Sequence, residues 1–115
     1  MHVRIFHNPR CSKSRQALQL LQEQGIEPDI IEYLKTPPSS DELRHILELL
    51  GIAPRALMRR QERAYSEQDL GDPNLDETAL IQAMVDHPVL IERPIVLAHG
   101  KAVLGRPPEK VLEIL

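Results

Sequence analysis

The chain has 115 residues, a length typical of one domain, and we expect a single domain over residues 1–115. Its net charge of −3 argues against a general nucleic-acid-binding protein, and no apolar run approaches the roughly 20 residues that a membrane-spanning helix requires. The chain holds one cysteine and begins without a signal-peptide pattern. Because a lone free thiol fits a reducing compartment, a cytoplasmic location is expected.

The first third of the chain predicts a strand, a helix and a second strand. Apolar alternation in HVRIF indicates a short strand, which Asn8-Pro9 ends. A helix is predicted from Ser12 to Gln24, and Gly25 is a typical residue to end it. Asp29–Leu34 forms the next strand. Together these elements form a βαβ unit, for which a right-handed crossover is expected.

Residues from about 36 to 90 carry helical signals and predict a helical insert. Ser39 and Glu42 have the spacing of a capping box, and Gly51 ends the helix that follows. Further helices are predicted to begin at Pro54 and after an N-cap at Asp76. A helical turn is also predicted over residues 65–70. The apolar residues at helical spacing are expected to be buried: Leu43, Ile46, Leu47, Leu50, Leu80, Ile81, Met84 and Val85.

The end of the chain predicts a hairpin and a last helix. PIVLAHGKAVL indicates strands over 95–98 and 101–104, joined by a turn at His99-Gly100. PPEKVLEIL predicts a helix with Val111, Ile114 and Leu115 facing inward. The order βαβ, helical insert, ββα predicts the α/β class, with a small mixed sheet on which helices pack.

Cys11 lies at the start of the first predicted helix. Backbone N–H groups are unpaired there, and the helix dipole adds roughly half a positive charge. Arg10, Lys13 and Arg15 lie close by in sequence. These features lower a thiol pKa and favour a reactive cysteine over a buried structural one, and the free N–H groups can also bind an oxyanion. The short spacing from Cys11 to Arg15 excludes the C-x5-R loop of cysteine phosphatases.

Two neighbours of Cys11 allow two interpretations each. The Ser14 hydroxyl is placed to hydrogen-bond the thiolate or, equally, its own helix backbone. His7 is either a charge partner of the thiol or a residue hydrogen-bonded to backbone at the strand end. The other histidines lack ligand spacing, so no metal site is expected.

Three arginines are candidates for an anion site. Arg59 shares a predicted helical face with Arg55 and Arg63, Arg93 directly precedes Pro94, and Arg106 follows the hairpin. Each taken alone is expected to be a solvated or ion-paired surface arginine. A cluster beside Cys11 would instead provide bidentate donors for an oxyanion.

Four segments together, HNPRCSKSR, RALMR, HPVLIERPIV and GRPPEKVLEIL, resemble the ArsC family of glutaredoxin-coupled arsenate reductases, and more narrowly its YfgD-like branch. The resemblance covers nearly the whole chain and keeps the order and spacing of the motifs. It implies a thioredoxin-like fold with a helical insert. It also implies a cytoplasmic enzyme that binds no cofactor and uses glutathione as co-substrate and glutaredoxin as partner.

The resemblance also implies roles for particular residues. Cys11 stands at the family's nucleophile, and Pro94 matches a proline whose peptide bond is cis in this fold. His7 and Ser14 occupy positions near the thiol. The oxyanion-binding positions are Arg59, Arg93 and Arg106. In the implied reaction, the Cys11 thiolate attacks arsenate, glutathione adds to the adduct, and glutaredoxin completes the reduction to arsenite.

Two other functions fit the same residues. A glutathione-linked thiol-disulfide oxidoreductase would use Cys11 without an oxyanion substrate, although the three arginine positions argue against it. Regulators of the Spx type resemble this family and bind RNA polymerase rather than arsenate. They carry C-x-x-C, whereas this chain has Ser14 in place of the second cysteine.

Overall fold

The computed structural model describes residues 2–115, which divide into two compact units. The first contains residues up to Thr36 together with Arg93–Leu115, and the second contains Pro37–Glu92. That the two form one domain with an insert over about 36–90 stays a prediction. Within the described residues, no helix is both long and apolar enough to cross a membrane.

The first unit is built on a four-stranded mixed sheet with the order β2-β1-β3-β4. The strands are β1 (Val3–Phe6), β2 (Asp29–Ile31), β3 (Ile95–Ala98) and β4 (Lys101–Leu104). β1 runs parallel to β2 and antiparallel to β3, and β3 and β4 form the predicted hairpin. His99 and Gly100 adopt φ angles of 54° and 71°, which the tight hairpin turn requires. The predicted α/β sheet is confirmed.

Helix α1 (Ser12–Glu23) and a C-terminal 3₁₀ helix (Pro108–Ile114) pack together with the sheet. The buried cluster consists of Val3, Ile5, Ala17, Leu21, Val96, Ala98, Val111 and Ile114. A 3₁₀ helix has three residues per turn, so Pro108, Val111 and Ile114 fall in one line, and all three are buried. Leu115 lies outside that line and is 36% exposed, so the prediction that it faces inward is wrong.

Strand β2 is shorter than predicted. It ends at Ile31, whereas the sequence pattern indicated a strand to Leu34. The partner strand β1 ends at Phe6, so the last hydrogen bond between the two strands runs from the His7 N–H to the Ile31 carbonyl. The next residues form a turn, in which the Lys35 N–H donates to the Glu32 carbonyl.

The second unit contains the helices α2 (Ser40–Leu50), α3 (Arg63–Glu67) and α4 (Glu77–Asp86), with 3₁₀ turns at Pro54–Leu57 and Pro88–Leu90. The predicted caps are present: Ser39 Oγ accepts from the Glu42 N–H at 3.1 Å, and Asp76 Oδ1 accepts from the Ala79 N–H at 2.8 Å. Gly51 ends α2 with a φ of 68°.

Three predictions for this unit need correction. The helical turn expected over residues 65–70 begins earlier, at Arg63, and ends at Glu67, because Asp69 adopts a left-handed φ of 51°. Leu50 and Val85 are only half-buried, although their spacing predicted full burial. Both lie in the last turns of their helices.

Gly105 follows β4 and lies against Pro94. Its N–H donates to the Pro94 carbonyl at 2.9 Å. A Cβ at position 105 would lie 2.8 Å from Pro94 Cγ and 3.2 Å from Val111 Cγ1, so only glycine allows this approach. The Arg93–Pro94 peptide bond is cis, as predicted.

We expect Gly105→Ala to destabilise the protein by about 1–3 kcal/mol, because the added methyl group must push the Pro94 ring or Val111 aside. Urea unfolding followed by circular dichroism measures this. Gly71→Ala is the matched control, since a Cβ at position 71 would meet only Tyr65, at 3.8 Å. Equal unfolding midpoints for the two variants would show that position 105 can accommodate a Cβ beside Pro94 without loss of stability.

Candidate functional site

Cys11 is the N-cap residue of α1, as its place in the sequence predicted. Its φ and ψ of −93° and 123° are extended, and its carbonyl already accepts the helical hydrogen bond from the Arg15 N–H at 3.0 Å. Its own N–H donates to the Asn8 carbonyl at 3.0 Å, which closes the turn after β1. The thiol is half-buried. It therefore lies beside the unpaired N–H groups of the first helical turn.

The pKa of the Cys11 thiol is lowered from its ordinary value. Burial is the largest single effect and raises the pKa. Three groups favour the thiolate: the backbone N–H groups of Ser14 and Lys13, and the Arg93 guanidinium, which acts through both a hydrogen bond and its charge. The neutral thiol makes no capping hydrogen bond, so these groups act on the charged form. Together they exceed the effect of burial, so the thiol pKa falls below its ordinary value, and the reactivity of Cys11 stays a prediction.

The cation that acts on Cys11 differs from the ones that the local sequence indicated. Arg93 comes from the segment before β3, and it lowers the thiol pKa. Lys13 contributes through its backbone N–H. Arg15 is exposed and donates to the Pro9 carbonyl at 3.0 Å. Sequence proximity to the thiol was thus a poor guide to which guanidinium meets it.

Ser14 and His7 form a buried hydrogen-bonded pair. Ser14 Oγ lies 2.6 Å from His7 Nδ1 and accepts from the Asn8 N–H at 3.1 Å. Burial lowers the pKa of His7, with Glu32 raising it and Arg15 lowering it further. The imidazole is therefore neutral at neutral pH, and its Nδ1 shares a hydrogen bond with the Ser14 hydroxyl.

The observed bonds differ from the alternatives that the sequence left open: the Ser14 hydroxyl binds His7 and the Asn8 N–H, not Cys11 or the backbone of its own helix. His7 is a neutral, hydrogen-bonded residue at the strand end and not a charge partner of the thiol. Its hydrogen-bond partner is a side chain, which the sequence did not indicate. The Ser14 hydroxyl joins α1 to the end of β1, while the Ser14 backbone N–H acts on the thiolate.

Arg106 lies next to Arg93 in the first unit. Its Nη1 donates to the Arg93 carbonyl at 3.1 Å. Arg93 in turn lowers the pKa of the Cys11 thiol through its guanidinium. The first unit thus joins Cys11, Arg93 and Arg106 in one chain of contacts, with Pro94 following Arg93 through the cis bond.

Arg59 belongs to the second unit, and its approach to Cys11 stays a prediction. Its side chain binds Glu62 and Glu92, two residues that the sequence analysis missed. The i, i+3 spacing of Arg59 and Glu62 was a signal for the first contact. Glu92 is distant in sequence, and no local pattern indicated the second.

The helical face predicted for Arg55, Arg59 and Arg63 does not form. The 3₁₀ helix ends at Leu57, and Met58 pairs with Ile91 in an antiparallel bridge. The three arginines therefore have separate partners: carbonyl groups of Leu70 and Asp72 for Arg55, the carboxylates of Glu62 and Glu92 for Arg59, and that of Glu67 for Arg63.

We expect Arg93→Ala to raise the pKa of Cys11, because the substitution removes a hydrogen bond and a positive charge that both favour the thiolate. The thiolate fraction at neutral pH then falls, and alkylation by iodoacetamide becomes slower. The measurement is the alkylation rate against pH. Arg15→Ala serves as the control, since the Arg15 guanidinium binds Pro9. An unchanged midpoint in Arg93→Ala, or an equal shift in both variants, would contradict this.

Comparison with known proteins finds close relatives over the whole chain. The uncharacterized protein YfgD of Escherichia coli strain K12 is 58% identical, with 98% of this chain and 96% of YfgD covered. An arsenate reductase of Neisseria meningitidis serogroup A is 54% identical, with 98% and 97% covered.

Solved structures give the same result. An arsenate reductase from Vibrio cholerae is 55% identical, has a TM-score of 0.97, and covers 100% of this chain and 98% of its own. A protein from Bacteroides fragilis at 23% identity shares the fold, with a TM-score of 0.84 and full coverage of both chains. The predicted thioredoxin-like α/β fold is confirmed. Residues 6–114 match the family model itself, and the chain belongs to the ArsC family.

Proposed function

We propose that this protein is an arsenate reductase in which Cys11 is the nucleophile. The observation that carries the proposal is the lowered pKa of a thiol that lies between a helix N-terminus and the guanidinium of Arg93. Such a site combines a thiolate with donors for an anion, which an oxyanion-reducing thiol enzyme requires. The names of the relatives from Neisseria meningitidis and Vibrio cholerae support the choice of arsenate.

In the proposed reaction, the Cys11 thiolate attacks arsenic and forms an S–As bond, and one oxygen leaves as water. The glutathione thiol then displaces a second oxygen as water. A glutaredoxin thiolate attacks the glutathione sulfur and forms a mixed disulfide. The bond between glutathione sulfur and arsenic breaks, and its electron pair stays on arsenic, which is now As(III). Water releases arsenite and restores the Cys11 thiol. Both electrons come from the external thiols.

Two features support an external thiol as reductant. The chain has one cysteine and therefore no resolving partner of its own. A cleft of about 360 Å³ in the first unit is lined by His7, Arg10, Glu32, Leu34 and Lys35, among others. Its charges of both signs suit the ammonium and carboxylate groups of glutathione. We propose that the protein works with glutathione and glutaredoxin in the cytoplasm, where this reducing system is available.

We expect arsenate-dependent NADPH oxidation in the presence of glutathione, glutathione reductase and glutaredoxin, and its loss in Cys11→Ser, because a hydroxyl at this position is too weak a nucleophile. Omitting arsenate or glutaredoxin gives the background rate. Ser66→Ala is the control variant, because Ser66 is exposed and far from Cys11 in sequence, and it should keep wild-type activity.

Activity on a glutathione mixed disulfide without activity on arsenate would instead favour the thiol-disulfide oxidoreductase. Capture of RNA polymerase with neither activity would favour the Spx-type regulator.

We further expect that Arg59→Ala, Arg93→Ala and Arg106→Ala each weaken arsenate binding roughly tenfold or more, because a hydrogen bond to a charged group contributes on the order of 1.5–3 kcal/mol. Calorimetric titration with arsenate measures the affinities. Arg44→Ala, which removes an exposed ion pair with Glu77, should leave the affinity unchanged. Wild-type affinity in all three variants would mean that these arginines form no common oxyanion site.

A further inference from the structure

Arg59 is held between two carboxylates. Its Nε donates a hydrogen bond to Glu62 Oε1 at 3.2 Å, and its Nη1 donates to Glu92 Oε1 at 3.1 Å. Neither of these two hydrogen bonds uses the remaining guanidinium nitrogen, Nη2. The guanidinium thus meets two negative charges within the second unit, and any anion that it binds has to approach past them.

The backbone fixes Arg59 and Glu92 in this relation. The Arg59 N–H donates to the Leu90 carbonyl at 2.7 Å, and the Glu92 N–H donates to the Leu57 carbonyl at 2.8 Å. These bonds flank an isolated antiparallel bridge. The backbone hydrogen bonds already hold both segments in place. The contact between the two side chains therefore costs no further backbone entropy.

The contacts are also sheltered from water. The Arg59 and Glu92 side chains are 22% and 24% exposed. In the neighbouring surface pair, Arg63 and Glu67 are 89% and 58% exposed. Exposed pairs contribute little because solvent and salt screen them, whereas partly buried pairs are screened much less. The carboxylates therefore act strongly on whatever else approaches the Arg59 guanidinium.

The geometry of the guanidinium makes the effect selective. An oxyanion binds most strongly across two adjacent nitrogens, either Nε with Nη2 or Nη1 with Nη2. Glu62 occupies Nε, and Glu92 occupies Nη1. On either edge the oxyanion lies beside a carboxylate oxygen. A fully deprotonated oxyanion meets a like charge there, whereas an oxyanion with a hydroxyl group can donate that proton to the carboxylate.

We propose that Glu62 and Glu92 are specificity-determining residues, which make Arg59 select oxyanions that carry a proton, such as hydrogen arsenate, over fully deprotonated ones such as sulfate. The inference rests on the proposed function, because it takes Arg59 to bind the substrate oxyanion. The two carboxylates then repel a fully deprotonated anion, whereas a protonated oxyanion donates a hydrogen bond to them.

The test is calorimetric titration of the full-length protein with arsenate and with sulfate at neutral pH. Wild type should bind arsenate more tightly than sulfate. Glu62→Gln and Glu92→Gln should each tighten sulfate binding about tenfold, the size expected for one charged contact, and change arsenate binding less. Glu67→Gln, which removes a carboxylate from the exposed pair with Arg63, should change neither affinity.

Several outcomes would overturn the inference: equal affinity of wild type for the two anions, unchanged sulfate binding in both glutamine variants, or equal tightening of both anions. The comparison in wild type stands even if one variant fails to fold. The proposed function is tested separately by arsenate-dependent turnover. Arsenate turnover without a preference for arsenate over sulfate rejects only this inference. The preference without arsenate turnover rejects the proposed reductase activity and keeps the role of Glu62 and Glu92 in anion selection.

Discussion

Holding a negative charge on a half-buried sulfur is the physical problem that the first unit solves. Withdrawal from water disfavours the Cys11 thiolate more than any other single effect. The amides of the first turn of α1 and the guanidinium of Arg93 reverse the balance only by acting together. The ends of three elements therefore have to meet: β1, whose turn closes onto Cys11, the N-terminus of α1, and the segment that leads into β3. The mixed sheet brings them together.

The buried pair of His7 and Ser14 lies next to Cys11 in this part of the first unit and links α1 to β1. The Ser14 backbone N–H favours the thiolate, while its side chain binds His7 and the Asn8 N–H. A neutral imidazole suits the position, because a buried charge there would need a partner of its own. These hydrogen bonds join the first turn of α1 to the end of β1.

Features set by neighbours in sequence could be predicted from the sequence. The caps at Ser39 and Asp76, the end of α2 at Gly51, and the helix start at Cys11 each depend on a few adjacent residues. The end of β2 could not be predicted in this way, because it is set by where β1 stops.

The same division holds within the candidate site. The position of Cys11 is set by adjacent residues, but the guanidinium that lowers its pKa comes from a segment more than 80 residues later. Nothing near the cysteine points to Arg93 rather than Arg15. Likewise, the contact between Arg59 and Glu92 depends on the bridge of Met58 with Ile91, which joins two irregular segments that carry no strand pattern.

The strand order has a consequence for the newborn chain. β1 is paired on one side with β3, and that pairing sets Phe6 opposite Ile95. During synthesis Cys11 leaves the ribosome early, and Arg93 follows only after the whole second unit has been made. A nascent chain that ends before Arg93 has the cysteine but lacks the guanidinium that favours its thiolate. The ribosome thus makes the thiol long before the guanidinium that lowers its pKa, so this stabilisation of the thiolate arises only when translation is nearly complete.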